Sequence, residues 1–119
     1  MRALVISCVL LGCKSHSSSA IEVTDRAWRA HEIVVGVGER AGSCADAGLA
    51  MERAFTEHRE AFIEAIKLDS DPDRLAEATS YLETHQERYS DLEARMDALA
   101  ERCSTDAKVQ GVFRRMETP

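Results

Sequence analysis

Leu49-Ala50-Met51-Glu52-Arg53-Ala54-Phe55-Thr56-Glu57-His58-Arg59-Glu60-Ala61-Phe62-Ile63-Glu64-Ala65-Ile66-Lys67-Leu68, followed at once by Asp69-Ser70-Asp71-Pro72, decides the fold of this 119-residue chain. At about 100° per residue, Met51, Ala54, Phe55, His58, Ala61, Phe62, Ala65 and Ile66 share one face of a helix. Glu57, Glu60 and Glu64 fall on the other, and Leu49 and Ile63 lie off the apolar face. Ser43-Cys44-Ala45-Asp46 is a capping pattern that opens this helix. The acidic, serine-containing break closes it, and Asp71 can cap a further helix that has Pro72 in its first turn, where no N–H is needed.

Working outward, the same logic predicts helices on both sides. Downstream, Leu75, Ala78, Tyr81, Leu82, His85, Tyr89, Leu92, Met96, Leu99 and Cys103 form one stripe. It predicts a single helix to about Arg102, about 45 Å long. Ser104-Thr105-Asp106 caps a short closing helix carrying Val109, Val112, Phe113 and Met116 at helical spacing. Upstream, Ser19-Ala20-Ile21-Glu22 reads as a capping box, with Thr24-Asp25 as a later possible start. Ala27, Ala30, Val34, Val37 and Ala41 then share a face, and Gly42 ends the helix. Gly36 and Gly38 weaken that helix by about 1 kcal/mol each relative to alanine, and they also allow a neighbour to come close. Short loops make consecutive helices antiparallel neighbours. The expected fold is therefore all-α: a small antiparallel bundle of three main helices plus a short C-terminal one.

Composition agrees. Only two prolines and six glycines occur, strand-favouring runs are scarce, and alanine, glutamate, arginine and leucine dominate. The net charge is −6 and is spread along the chain, which predicts an acidic solvated surface. Nucleic acid is an unfavourable partner, because phosphate contacts need basic patches.

The N-terminus carries the most specific motif. Met1-Arg2-Ala3-Leu4-Val5-Ile6 opens an apolar run that closes on Leu10-Leu11-Gly12-Cys13. A positive start, an apolar middle of roughly 7–15 residues and a small residue before the cut make a secretory signal. The run stops at Lys14, short of the ~20 apolar residues of a membrane span. Leu10 to Cys13 resembles the lipobox of bacterial lipoproteins. The resemblance covers residues 1–13 and implies cleavage before Cys13 and a diacylglycerol on its thiol. It divides the chain into a signal peptide (1–12), a lipidated cysteine with a flexible tether (13–20) and a bundle domain (21–119). It also implies a cell-envelope location, anchored to a membrane by palmitate-type acyl chains. Lys14, where an aspartate would retain such a protein in the inner membrane, favours the outer membrane.

Of the four cysteines, Cys8 leaves with the signal and Cys13 carries lipid. Cys44 and Cys103 remain, and an even pair in an exported chain reads as a disulfide; two buried free thiols are the alternative. Mirroring the second and third helices about residue 70 would put Cys44 level with Met96, about 10 Å short of Cys103 along the axis. Extended backbone around residues 42–45, or an early end to the third helix, would close that gap.

His31, His58 and His85 are spaced 27 residues apart in turn. Folding the helices back on one another brings all three to about the same height. Two readings stay open: a metal or haem-iron ligand set inside the bundle, or packed and rim histidines. The Glu-x-x-His pattern of di-iron bundles is absent, since Phe55 and Leu82 stand three residues before His58 and His85. No phosphate-binding glycine loop, Gly-x-Ser-x-Gly or His-Glu-x-x-His motif is present. The expectation is a non-enzymatic, lipid-anchored envelope module without a cofactor, acting by binding another envelope protein or by structural presence. A metal- or haem-binding bundle is the alternative. A protein partner would use an apolar patch left uncovered by the bundle, with Leu49, Ile63 and Trp28 as candidates.

Overall fold

The computed structural model describes residues 18–119. The stretch read as a signal peptide, and Cys13, lie outside the described residues. The chain forms α1 (Ala20–Arg40), α2 (Cys44–Lys67), a 3-10 turn (Leu68–Ser70), α3 (Pro72–Thr84), α4 (Gln86–Arg102) and α5 (Ala107–Glu117). Among the described residues there is no strand, and the fold is the all-α bundle that the apolar periodicity predicts, stapled by a disulfide.

Each start read from the sequence is a hydrogen-bonded cap. Ser19 Oγ accepts from the Glu22 amide at 3.1 Å, and Glu22 Oε1 accepts from the Ser19 amide at 3.0 Å, a complete capping box. Ser43 Oγ accepts from the Asp46 amide at 3.1 Å. Asp71 accepts from the Arg74 amide at 3.3 Å, and Asp106 accepts from the Val109 amide at 2.9 Å. Such side chains satisfy amides that the helix geometry leaves without a carbonyl. The first helix stops at Arg40, short of Gly42, and no described glycine has positive φ.

The third helix is two helices, not one. His85 (φ −114°, ψ 35°) leaves helical geometry and separates α3 from α4. Along α3 and at its end, side chains bond main-chain carbonyls one turn back. Thr79 Oγ1 donates to Leu75 O at 2.9 Å, Thr84 Oγ1 to Ser80 O at 2.6 Å, and His85 Nδ1 to Tyr81 O at 2.9 Å. Back-bonding of this kind bends helices.

The bend leaves the register with α1 intact. Arg74 Nη2 donates to Ser18 O (2.9 Å), and the Tyr81 hydroxyl donates to Asp25 Oδ1 (3.1 Å). Arg88 and Arg95 reach Glu32 and Glu39 through paired bonds of 3.2 and 2.9 Å, and of 3.1 and 2.8 Å. Each pair is 56 residues apart, and successive pairs step by one heptad along both partners. So α1 runs parallel to the α3–α4 arm with coiled-coil spacing, while α2 runs back between them in sequence.

The packing is uneven. α1 packs closely on α2, and α5 also covers α2, whereas α3 and α4 rest mainly on α1. α1 is thus buried on two sides, which explains why Val23, Trp28, Val34, Val35 and Gly38 are all buried. The main core gathers Val34, Val35, Met51, Phe55, Phe62 and Leu99 with Val109, Val112 and Met116 of α5. A smaller cluster of Ala20, Val23, Leu68 and Ala78 closes the far end. The stripe on α3 is less covered than its periodicity predicts: Leu75 is exposed, as is Ile66 at the end of α2.

Cys44 and Cys103 are bonded, with their Cα atoms 5.5 Å apart. Ala41 and Ser43 are extended, Cys44 is the first residue of α2, and Cys103 lies just past the end of α4. Both cysteines therefore sit at helix ends, where the axial mismatch of two mirrored helices does not apply.

Candidate binding cleft

Because α2 meets the α3–α4 arm only sparsely, an apolar cleft of about 290 Å³ opens beside α1. Its aliphatic walls come from Ala27 of α1, Ala65 of α2, Leu68 of the 3-10 turn, and Leu75, Ala78 and Leu82 of α3. Leu92 and Met96 of α4 continue it. The small side chains at Ala27, Ala65 and Ala78 leave space that leucines there would occupy. On α1 its lining runs from Thr24 to His31, about 10 Å of helical rise.

Five lining residues carry polar atoms: Thr24, Trp28, His31, Tyr89 and Glu93. Trp28 is 4% exposed and Thr24 8%. Among the described residues, Thr24 Oγ1 and Trp28 Nε1 are the buried side-chain polar atoms with no hydrogen-bond partner. Leaving such a group unsatisfied costs about 1–3 kcal/mol, and two among the described residues is an ordinary number for a native domain. The indole is otherwise tightly held. The Arg88 guanidinium lies 4.2 Å from its centroid. Tyr81, His85 and Tyr89 meet it edge-on at 6.1, 6.1 and 6.3 Å.

His31 is a half-buried titratable group of the cleft. Its Nδ1 donates to Ala27 O at 2.8 Å, and its ring packs 4.7 Å from that of Phe62. Burial holds its pKa below the ordinary 6.5, against the smaller upward pull of that hydrogen bond. It is neutral at pH 7, with the lone pair on Nε2. Tyr89 is pushed up by burial and then by the neighbouring Glu93 carboxylate.

The three sequence-predicted histidines do not form a ligand set. Among the described residues no three His, Cys, Asp or Glu side chains are placed to hold a metal ion. His31 faces Phe62 in the core, while His85 is exposed at the bend, 4.4 Å from the Tyr81 ring, with Nδ1 bonded to Tyr81 O. His58 is half-buried on α2. Equal height was not enough to bring them together, because α2 and the α3–α4 arm stand apart where His58 and His85 would have to meet. Of the residues read as a possible partner patch, Leu49 is 51% exposed and Ile63 half-buried, whereas Trp28 is buried. From the sequence, Thr24 was read only as a possible helix start, and Glu93 was not singled out. Their signal is only a hydroxyl inside a helix and a carboxylate beside the Leu92–Met96 stripe.

Compared with known proteins, the chain matches no family model, no curated protein and no solved structure.

Proposed function

We propose that this chain is a lipid-anchored helical module of the bacterial envelope, cut before Cys13, acylated there and held on the outer membrane. It works by non-covalent binding or structural presence, not by catalysis. The observation that carries this reading is the Cys44–Cys103 bond. Structural disulfides persist in exported proteins and are rare in reducing compartments, which agrees with what the lipobox-like Leu10-Leu11-Gly12-Cys13 implies. Two or more acyl chains anchor a protein stably where a single one does not. A protein partner in the envelope would meet exposed apolar residues such as Leu49.

The test is metabolic labelling. The full chain is expressed in a bacterium fed tagged palmitate, beside a Cys13→Ala variant, and the membranes are separated on a density gradient. The expected result is a labelled protein in the outer-membrane fraction, with label and membrane retention both lost in Cys13→Ala. Unlabelled wild-type protein, or label that survives the substitution, would overturn the anchor.

A further inference from the structure

We propose that α3 is a strap that opens on its own: it leaves α1 and unfolds between Asp71 and His85 while α1, α2, α4 and α5 stay folded. This depends neither on how the protein is anchored nor on what it binds.

Both ends of α3 are breaks in helical geometry. Asp71 (φ −129°, ψ 95°) is extended, and His85 (φ −114°, ψ 35°) interrupts the helix before α4. At thirteen residues, α3 is no longer than the ~12–15 at which an isolated helix is marginal in water. Its helicity therefore depends on what it packs against. Among the described residues that packing is thin. Ala78 is the one buried residue of α3, whereas α1 buries ten of its twenty-one. An alanine side chain hides little apolar area, and α2 meets α3 only sparsely.

The neighbours of α3 are held without it. α4 buries Leu92 and Leu99, and Cys103 just past its end is bonded to Cys44. Arg88 and Arg95 tie α4 to Glu32 and Glu39 of α1. The polar ties of α3 to the N-terminal side are Arg74 to Ser18 O and the Tyr81 hydroxyl to Asp25. Both can be released cheaply. Asp25 keeps Arg29 at 2.9 Å, and Ser18, Arg74 and Tyr81 are only half-buried, so water can replace the lost partners. Segments with few buried apolar contacts open at a lower free energy than the whole domain. Because Leu75, Ala78 and Leu82 form one wall of the cleft, opening of the strap removes that wall.

Ala78 and Ala54 are both 5% exposed, one on α3 and the other in the α2 core. Each is replaced by cysteine in the oxidised full chain carrying Cys13→Ser, and labelling of that site by a small neutral thiol reagent is timed by peptide mass spectrometry. Since static exposure is equal, the rates report opening. Ala78→Cys is expected to react at least tenfold faster than Ala54→Cys. Adding Tyr81→Phe should speed the reaction at Ala78→Cys about fivefold, the loss of one hydrogen bond, and leave Ala54→Cys unchanged. Hydrogen exchange of the chain without added cysteines decides the matter even if a variant misfolds. There the α3 amides should be at least tenfold less protected than those from Ala54 to Phe62, with one common dependence on urea. Equal labelling rates, equal protection of α3 and α2, or a Tyr81→Phe effect on both sites alike would overturn the proposal.

Discussion

Two glycines one turn-half apart on α1 should respond to alanine with opposite signs. The three atoms nearest a Cβ on Gly36 all belong to Arg40, with Nη1 at 3.2 Å, and Arg40 is exposed and free to move. A Cβ on Gly38 would lie 2.7 Å from Met51 Sδ, 2.8 Å from Leu99 Cδ2 and 2.9 Å from Met51 Cγ. Met51 and Leu99 are 0% and 2% exposed, so neither can swing into solvent. Each substitution gains ~1 kcal/mol of helix propensity. At Gly36 most of that gain survives. At Gly38 overpacking costs about 1–3 kcal/mol, so the net change runs from zero to a loss of ~2 kcal/mol. The two variants should therefore differ by ~1–3 kcal/mol, or at least ~4 °C in Tm for a domain of this size. Urea melts with the disulfide intact, followed by circular dichroism, measure this directly, provided the m-value is unchanged. If Gly38→Ala is as stable as Gly36→Ala, the close packing of α1 on Met51 and Leu99 is refuted.

Replacing both cysteines, Cys44→Ala with Cys103→Ala, frees a sequence separation of 59 residues. It should cost up to ~4 kcal/mol in the chain-entropy picture, read as a lower urea midpoint. His31 predicts a pH effect. Its folded pKa lies below 6.5 because of burial, so its stabilising contribution is present above the unfolded value and is lost as pH falls through the folded one. Stability should drop between about pH 7 and 5, and His31→Phe should flatten that slope; a wild-type profile identical to the variant's would contradict the burial. Glu39 is held below its ordinary 4.5 chiefly by the Arg95 hydrogen bond. Glu39→Gln should cost ~0.2–1 kcal/mol at pH 7, as for a half-exposed pair. That difference should vanish as wild-type Glu39 is itself protonated in acid. Equal losses at pH 7 and pH 3 would rule out the ion pair as the cause.

Much of the local structure was legible because its causes are local. Ser19, Ser43, Asp71 and Asp106 cap helices through hydrogen bonds that reach three residues along the chain. The bend at His85 was not legible. Thr84 and His85 bond carbonyls one turn back at the break, while the apolar stripe runs on unbroken through Leu82 and Tyr89. Trp28 shows the same limit from another side. It stands at the margin of the face drawn by Ala27, Ala30 and Val34, yet it is buried, because α1 is packed by α2 on one side and by the α3–α4 arm on the other.

The candidate cleft was the least legible part. Nothing in the spacing of Thr24, Ala65, Ala78 or Glu93 marks them as neighbours. The histidines illustrate why. Their 27-residue spacing suggests similar heights, but height along a bundle does not fix which faces meet.

The amino-acid sequence by itself determined four of the five helix starts and the all-α class, and pointed to Cys44 with Cys103, because capping, periodicity and cysteine count are one-dimensional signals. Only the tertiary structure decided that α1 is central, that it runs in heptad register with α3 and α4, and that α2 leaves a cleft beside it. Those features depend on how far each pair of helices approaches. That distance is set by side-chain volumes meeting across the chain, Gly38 against Met51 and Leu99 on one side, Ala65 against Leu68 and Ala78 on the other, and no single segment encodes it.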